Sequence, residues 1–175
     1  MPFIRLFMNL LYPFAKRFIA GPDLKTAIPN IRKIKESGYF SSIDILGESV
    51  STRQQAETAK MEYLKLFESL DSINHSFDFS IKLSQLGLGI DREFCAENLR
   101  QLAEAMGNHT IRLDMEGSAY TQGTLEICEA VHRPPPHIGQ AIQAYLFRSK
   151  NDVRHCIENK ISVRLCKGAY KEPSD

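Results

Sequence analysis

FDFSIKLSQLGLGIDREFCAENLRQLAEAMGNHTIRLDME, residues 77–116, is the stretch that decides the fold class. FDFSIKL (77–83) and TIRLDME (110–116) are short runs rich in aromatic and β-branched residues and read as strands. Between them, Asp91 to Gly107 has an acidic start, places Phe94, Leu99, Leu102, Ala103 and Met106 on one helical face, and ends on a glycine. Strand, helix, strand at this pitch implies two parallel strands joined by a right-handed crossover.

The same rhythm continues in both directions. IDILGE (43–48), HIGQAIQAY (137–145) and ISVRLCKG (161–168) are three further strand candidates, making five in all. STRQQAETAKMEYLKLFESL (51–70) predicts an amphipathic helix: Thr52 and Gln55 have capping-box spacing, and Ala56, Ala59, Tyr63 and Phe67 form one stripe. Ala119–Val131 predicts a helix despite Gly123, and Ser149–Ile157 another, opened by Ser149 and Asp152 at capping spacing. Upstream, Asp23–Ser37 predicts a helix bent at Pro29 and ended at Gly38.

Alternating strands and helices fit either a doubly wound sheet or a (βα)8 barrel. Two observations lean towards the barrel. Glu48, Lys82, Asp114, Gln143 and Arg164 all fall near the C-terminal ends of their strands, and in a barrel those ends converge on one mouth. DILGESVST, after the first strand, lacks the glycine-rich phosphate turn of a doubly wound fold. The expected organisation is an N-terminal helical segment over residues 1–40 and the first five βα units of a TIM-type barrel over 41–175. Eight strands and about 250 residues are usual for this fold, so roughly three βα units are expected to be missing.

Composition narrows the partners. The chain has 175 residues, 43% of them hydrophobic, enough for one core. With 22 Lys and Arg against 21 Asp and Glu there is no basic field to draw nucleic acid. Cys95, Cys128, Cys156 and Cys166 contain no Cys-x-x-Cys pair and read as reduced thiols of a cytoplasmic protein, explained by packing. His75, His109, His132, His137 and His155 lack metal-ligand spacing and are assigned to surface or loop positions, so no metal is expected. MPFIRLFMNLLYPFAKRFIAG (1–21) is interrupted by Arg5 and Pro13 before reaching the roughly 20 apolar residues a bilayer crossing needs. It does not read as a signal peptide; two readings remain, first a helix packing its apolar face on the domain and second an amphipathic helix resting on a membrane surface. HRPPPH (132–137) reads as a stiff connector.

Charge at buried strand ends carries a desolvation cost and therefore calls for a reason. Lys82 and Asp114, on consecutive strands, are placed to face each other across the mouth, either as a structural salt bridge or as a functional pair. Arg164 and Lys167 on the fifth strand add two cations, a set that suits an anionic ligand, whether a carboxylate substrate or a phosphate-bearing cofactor.

VRLCKGAYKEP (163–173) resembles the fifth-strand signature of proline dehydrogenases. SIKLSQLGL (80–88), IRLDMEGSAYTQGTLEI (111–127), IGQAIQAYLFRS (138–149) and DILGES (44–49) resemble further segments of that family in the same order, so the likeness covers the chain from about Phe18 onward. The resemblance implies a (βα)8 barrel that binds FAD at the C-terminal ends of its strands. It further implies oxidation of L-proline to pyrroline-5-carboxylate, with electrons passed to a membrane quinone and a peripheral association with the inner face of the cell membrane.

By position, Arg164 corresponds to an arginine beside the reactive edge of the flavin, and Gln143 to a glutamine bonded to its pyrimidine side. Lys167 and Gly168 fall in the cofactor-lining turn. Lys82 corresponds to a lysine that contacts the proline carboxylate and Asp114 to an aspartate that orients it, while Ala169 and Tyr170 correspond to positions walling the ring. The family's paired arginines on the last helix have no counterpart in these residues, so the chain alone is expected to be inactive. Two other readings are a non-catalytic barrel fragment that needs a partner chain, and another (βα)8 enzyme with a phosphate ligand.

Overall fold

The computed structural model describes residues 19–47, 49–71, 73, 75–132 and 137–170. Expectations placed on the first 18 residues, Glu48, the prolines of HRPPPH and residues 171–175 lie outside them. The chain divides into two units, residues 1–41 with 68–74, and residues 42–67 with 75–175. In the first unit lies α1 (Leu24–Glu36), capped by the Asp23 carboxylate, which accepts from the Thr26 N–H at 2.9 Å. It runs without a break through Pro29, and Gly38 follows its end at φ +85°.

In the second unit, β1 (Ser42–Asp44), β2 (Asp78–Ile81), β3 (Thr110–Leu113), β4 (Ile138–Gln143) and β5 (Ser162–Cys166) form one sheet. Every pairing is parallel, and the spatial order is the sequence order, 1-2-3-4-5. A doubly wound sheet reverses direction at a switch point, whereas strands added always on the same side follow the course of a barrel wall. The fold is α/β, of the TIM-barrel type, with five parallel strands joined by four helices among the described residues.

The crossovers are α2 (Arg53–Asp71), α3 (Arg92–Ala105), α4 (Ser118–Val131) and α5 (Ser149–Glu158). The expected capping box opens α2: the Gln55 N–H donates to the Thr52 hydroxyl at 3.2 Å, and the Thr52 N–H to the Gln55 side-chain oxygen at 3.1 Å. Asp91 caps α3, accepting from the Phe94 N–H at 3.0 Å. The reading of α5 needs correction. Its cap is Arg148, Asp152 pairs with that arginine at 2.7 Å, and the Ser149 hydroxyl donates to the Gln143 carbonyl instead.

Alternation along the strands separates two faces. Phe79, Ile81, Ile111, Leu113, Ile138 and Ile142 are buried. Phe79 packs on Phe67 of α2, ring centroids 4.6 Å apart, and Tyr63, Leu99, Leu102 and Cys128 are buried within the helices. Fully burying one such side chain contributes about 1.5–3 kcal/mol, so this layer holds the unit together. Gly123 suits its place in α4 because an added methyl would meet Leu88 at 3.2 Å.

His109 and His132 lie in loops, as expected, but not at the surface. His109 is enclosed by Phe67, Phe77 and Phe79 and accepts from the Phe77 N–H, and His132 places Nδ1 3.1 Å from the Ile138 carbonyl. Both rings close helix-to-strand turns where a backbone polar group needs a buried partner. Cys166 also departs from expectation. It ends β5, which pairs with β4 alone among the described strands, and is exposed, while Cys95, Cys128 and Cys156 are buried.

Candidate functional site

The other face of the sheet is polar. Ser42 and Asp44 on β1, Asp78 and Ser80 on β2, Thr110 and Arg112 on β3, and Ser162 and Arg164 on β5 alternate with the apolar set, and Lys82 and Asp114 continue the alternation one residue past β2 and β3. Ordinary TIM barrels fill this interior with layers of Val, Ile and Leu. Here it is a ladder of opposite charges.

At the mouth, the Lys82 ammonium lies 3.1 Å from Asp44 and 3.3 Å from Asp114. Asp114 divides its carboxylate, giving Oδ2 to Lys82 and Oδ1 to Arg164. Arg164 also donates to the Ser80 hydroxyl at 2.8 Å and the Ser42 hydroxyl at 3.4 Å, and stands 3.7 Å from Asp78. Asp78 is 3.6 Å from Arg112 and accepts from the Thr110 hydroxyl at 2.8 Å. Arg112 ends the chain of contacts, donating to the Ser162 hydroxyl at 2.9 Å and the Ser162 carbonyl at 3.0 Å.

Register explains how residues 50 positions apart meet. Arg112 stands opposite Gly139, Gly139 opposite Ser162, and Ala141 opposite Arg164. β4 therefore presents only glycine and alanine beneath the two guanidinium groups. A methyl on Gly139 would come within 2.1 Å of Arg112 Nη1.

Burial and charge act together on the mouth. Burial pushes the Asp44 carboxyl up and outweighs the hydrogen bond and charge of Lys82. Burial would pull the Lys82 ammonium down, but the carboxylates of Asp44 and Asp114 reverse this and hold its pKa above the usual lysine value. Three carboxylates face three cations, so the expectation of a mouth with spare positive charge is corrected. Asp44 and Asp78 neutralise two of the cations.

A second group sits at the end of β4. The Gln143 side-chain oxygen accepts from the N–H groups of Ala169, at 2.6 Å, and Tyr170, at 2.9 Å, tying the turn after β5 to β4. Gln143 is 4% exposed, and its Nε2 has no hydrogen-bond partner among the described residues. The Tyr170 ring lies beside Gly117, where an added methyl would stand 3.9 Å from it. Gly168 adopts φ +121°, and a methyl there would strike the Tyr145 ring at 1.8 Å, so the close approach it permits is first to Tyr145. Lys167 is exposed and belongs to neither group.

Behind the mouth, the Ser84 N–H donates to buried Glu116 at 3.0 Å, the Ser84 hydroxyl bonds the same carboxylate, and the Ser49 N–H donates to that hydroxyl at 3.0 Å. The loops after β1, β2 and β3 are thereby joined. Of the residues singled out in the sequence, Lys82, Asp114 and Arg164 form one contact group, and Gln143, Ala169 and Tyr170 another. Asp44, Asp78, Ser80 and Arg112 were missed, although D-F-S-I-K (78–82) and T-I-R-L-D (110–114) show the alternation that marks their face. Cavities of about 500 Å³ beside Leu24, Ile28 and Arg32, and about 230 Å³ beside Met106, Val131 and Ile138, contain none of these side chains. Among the described residues no cluster of His, Cys, Asp and Glu is arranged to hold a metal.

A parallel sheet in sequential order, with an ion-paired cluster at the C-terminal ends of its strands, defines the TIM-type (βα) class, in which those ends carry the chemistry. Within that class the chain belongs to the proline dehydrogenase family, whose sequence profile matches residues 27–173. It is 30% identical over 160 residues to proline dehydrogenase 1 of Bacillus subtilis, covering 90% of this chain and 53% of that protein. It is 29% identical over 172 residues to proline dehydrogenase of Deinococcus radiodurans, covering 94% and 55%. The chain thus spans about half the length of these curated relatives. The crystal structure of proline utilization A from Bdellovibrio bacteriovorus inactivated by N-propargylglycine superposes with a TM-score of 0.79 at 23% identity, over 93% of this chain and 21% of that one. Proline utilization A from Corynebacterium freiburgense gives 0.69 at 22% identity, over 83% and 17%.

Proposed function

We propose that these residues form part of an FAD-dependent proline dehydrogenase that oxidises L-proline to pyrroline-5-carboxylate in proline catabolism. The observation that carries this reading is the contact chain Asp44–Lys82–Asp114–Arg164, which gathers charged groups from four strands at one mouth. Family membership supports the substrate. The residues present also fit a flavin: Gln143 keeps a buried amide donor whose other end is already fixed, and Arg164 is a cation held by Asp114 and Ser80.

The chemistry FAD supplies when bound is acceptance of a hydride from the proline ring carbon next to nitrogen. With that group bound, Arg164 would offset negative charge on it, and Gln143 Nε2 would be free to donate a hydrogen bond to it. Lys82 presents its ammonium to the substrate carboxylate, Asp114 holds Lys82 and Arg164 at a fixed separation, and Ala169 and Tyr170 wall the ring. Positioning does most of the work. Quinone as acceptor, and a cytoplasmic protein touching the inner face of the membrane, complete the reading on resemblance; no described helix is long and apolar enough to cross a bilayer.

The exposed edge favours a second reading, a non-catalytic fragment that needs a partner chain. Leu165 on β5 is 64% exposed and Ile157 on α5 68%. Residues 1–175 assayed by themselves are therefore expected to bind flavin but not to turn over proline with an artificial acceptor. Titrating FAD into the chain while following flavin fluorescence tests the flavin site common to both readings, and turnover of proline separates them. Saturable binding weakened by Gln143→Glu, which keeps the turn acceptor but removes the donor, supports a flavin site. A folded chain with no affinity for FAD refutes it.

A further inference from the structure

We propose that Asp44 is a positioning residue for the reaction above: it holds the Lys82 ammonium at the mouth so that one N–H stays directed to the substrate carboxylate. This rests on the reading of the cluster as a proline site. Lysine has three N–H donors and no acceptor. Asp44 takes one at 3.1 Å and Asp114 another at 3.3 Å, which leaves the third for a ligand.

The two carboxylates are not equivalent. Asp114 shares its charge with Arg164, whereas the ion pair of Asp44 is with Lys82. Lysine is a point charge on a flexible four-carbon stem, so a single shared carboxylate would leave its direction poorly set. Asp44 is the last residue of β1, and its register opposite Ser80 fixes it two residues short of Lys82 on the neighbouring strand. The side chains of Lys82 and Asp44 are 18% and 30% exposed, sheltered from bulk water yet open to the mouth. The charged and titratable groups facing Asp44 are Lys82 from β2, Asp114 from β3, Arg164 from β5 and the Tyr63 hydroxyl from α2. The positive shift on Lys82 has the same origin, because the carboxylates reverse the effect of burial.

Trace acetylation of the native chain between pH 8 and 11.5, read residue by residue by mass spectrometry, gives the titration of Lys82. Asp44→Asn is expected to lower its midpoint by about one unit, and Asp44→Glu to restore most of the shift. A far-ultraviolet circular dichroism spectrum matching the wild type reports that each variant is folded. Asp44→Ser serves should the asparagine variant not fold. Added L-proline should slow acetylation of Lys82 in the wild type, and about tenfold more should be needed in Asp44→Asn, equivalent to one unit of differential interaction. Pyrrolidine, which lacks the carboxylate, should not protect. An unshifted Lys82 in Asp44→Asn overturns the proposal, and so does equal protection of both proteins by proline. If Lys82 shifts but proline protects neither protein, the proline site itself fails and the positioning role falls with it.

Discussion

Replacing Gly139 by alanine tests the ladder of charges at its most confined point. The new methyl would lie 2.1 Å from Arg112 Nη1, 2.3 Å from the Ser162 hydroxyl and 2.7 Å from the Ser162 carbonyl. Ordinary contact begins near 3.5 Å, so the guanidinium must withdraw by more than 1 Å and give up its bonds to Ser162 at 2.9 and 3.0 Å. Bonds made by charged groups contribute roughly 1.5–3 kcal/mol each, part of which Arg112 recovers through Asp78. The carbonyl contact cannot be relieved by a rotamer, because Ser162 sits in the β4–β5 ladder, and overpacking of this kind costs about 1–3 kcal/mol. The sum is about 3–5 kcal/mol. With a urea slope of roughly 2 kcal/mol per M, the midpoint should fall by about 1.5–2.5 M. Urea titration followed by far-ultraviolet circular dichroism measures this. Repeating it with Arg112→Ala present should reduce the increment to the overpacking cost of about 1–3 kcal/mol, since only the Ser162 clash remains. As a control, Gly107→Ala has φ +60° but open space around it and should cost about 1 kcal/mol. A Gly139→Ala change below 1 kcal/mol, or an increment unaltered by Arg112→Ala, would refute the crossing of Arg112 over β4.

Three further outcomes follow from burial. Burial pushes Cys95 and Cys128 up to about 12 and Cys156 up to about 11, while Cys166 is exposed, so a thiol reagent at pH 8 should titrate one thiol of the native chain and four after denaturation. The three buried thiols ionise near 9.0 when unfolded and later when folded, so their contribution to stability is complete below pH 9.0 and lost as pH rises towards 12. Lys82, also raised, adds its loss above 10.5; melting temperatures between pH 8 and 11 should therefore decline with increasing slope, and a flat profile would contradict the burial. The double change Asp78→Leu with Arg112→Met should leave the chain folded and within about 1 kcal/mol of the original in urea, whereas Arg112→Met alone should cost more.

How much of this could be read from residues alone depends on whether the feature is local. The starts of α2 and α3 were legible because their capping partners lie within four residues of one another, as Thr52 with Gln55 and Asp91 with Phe94 show. Lys82 and Asp114 were legible because they follow adjacent strands in similar positions. Asp44 was not, because IDILGE read as a strand running to Glu48, whereas β1 stops at Asp44 and the Gln85 side chain takes the space beside Gly47. The path from Arg164 to Asp114 depends on strand register and on small residues in β4, and neither is a property of any single segment. Ser149 and Asp152 show the opposite failure. Their spacing is right for a cap, but a carbonyl six residues back and an arginine next door compete for them.

The polar interior bears on function through its cost. Placing charges where a barrel normally packs Val, Ile and Leu forfeits hydrophobic burial and incurs desolvation, which ion pairing at best repays. Six charged side chains, Asp44, Lys82, Asp114, Arg164, Asp78 and Arg112, therefore do not have stability as their explanation. Arrangement does explain them. Each ion is held by groups from other strands of the sheet, in the case of Arg164 from β2 and β3 across β4, so Lys82 and Arg164 are fixed in direction before any ligand arrives. Pre-set charges of this kind need no reorganisation when negative charge develops nearby. The lower part of the ladder matters for the same reason, because Ser80 and Asp78 hold the Arg164 guanidinium from beneath while Asp114 holds it from the side.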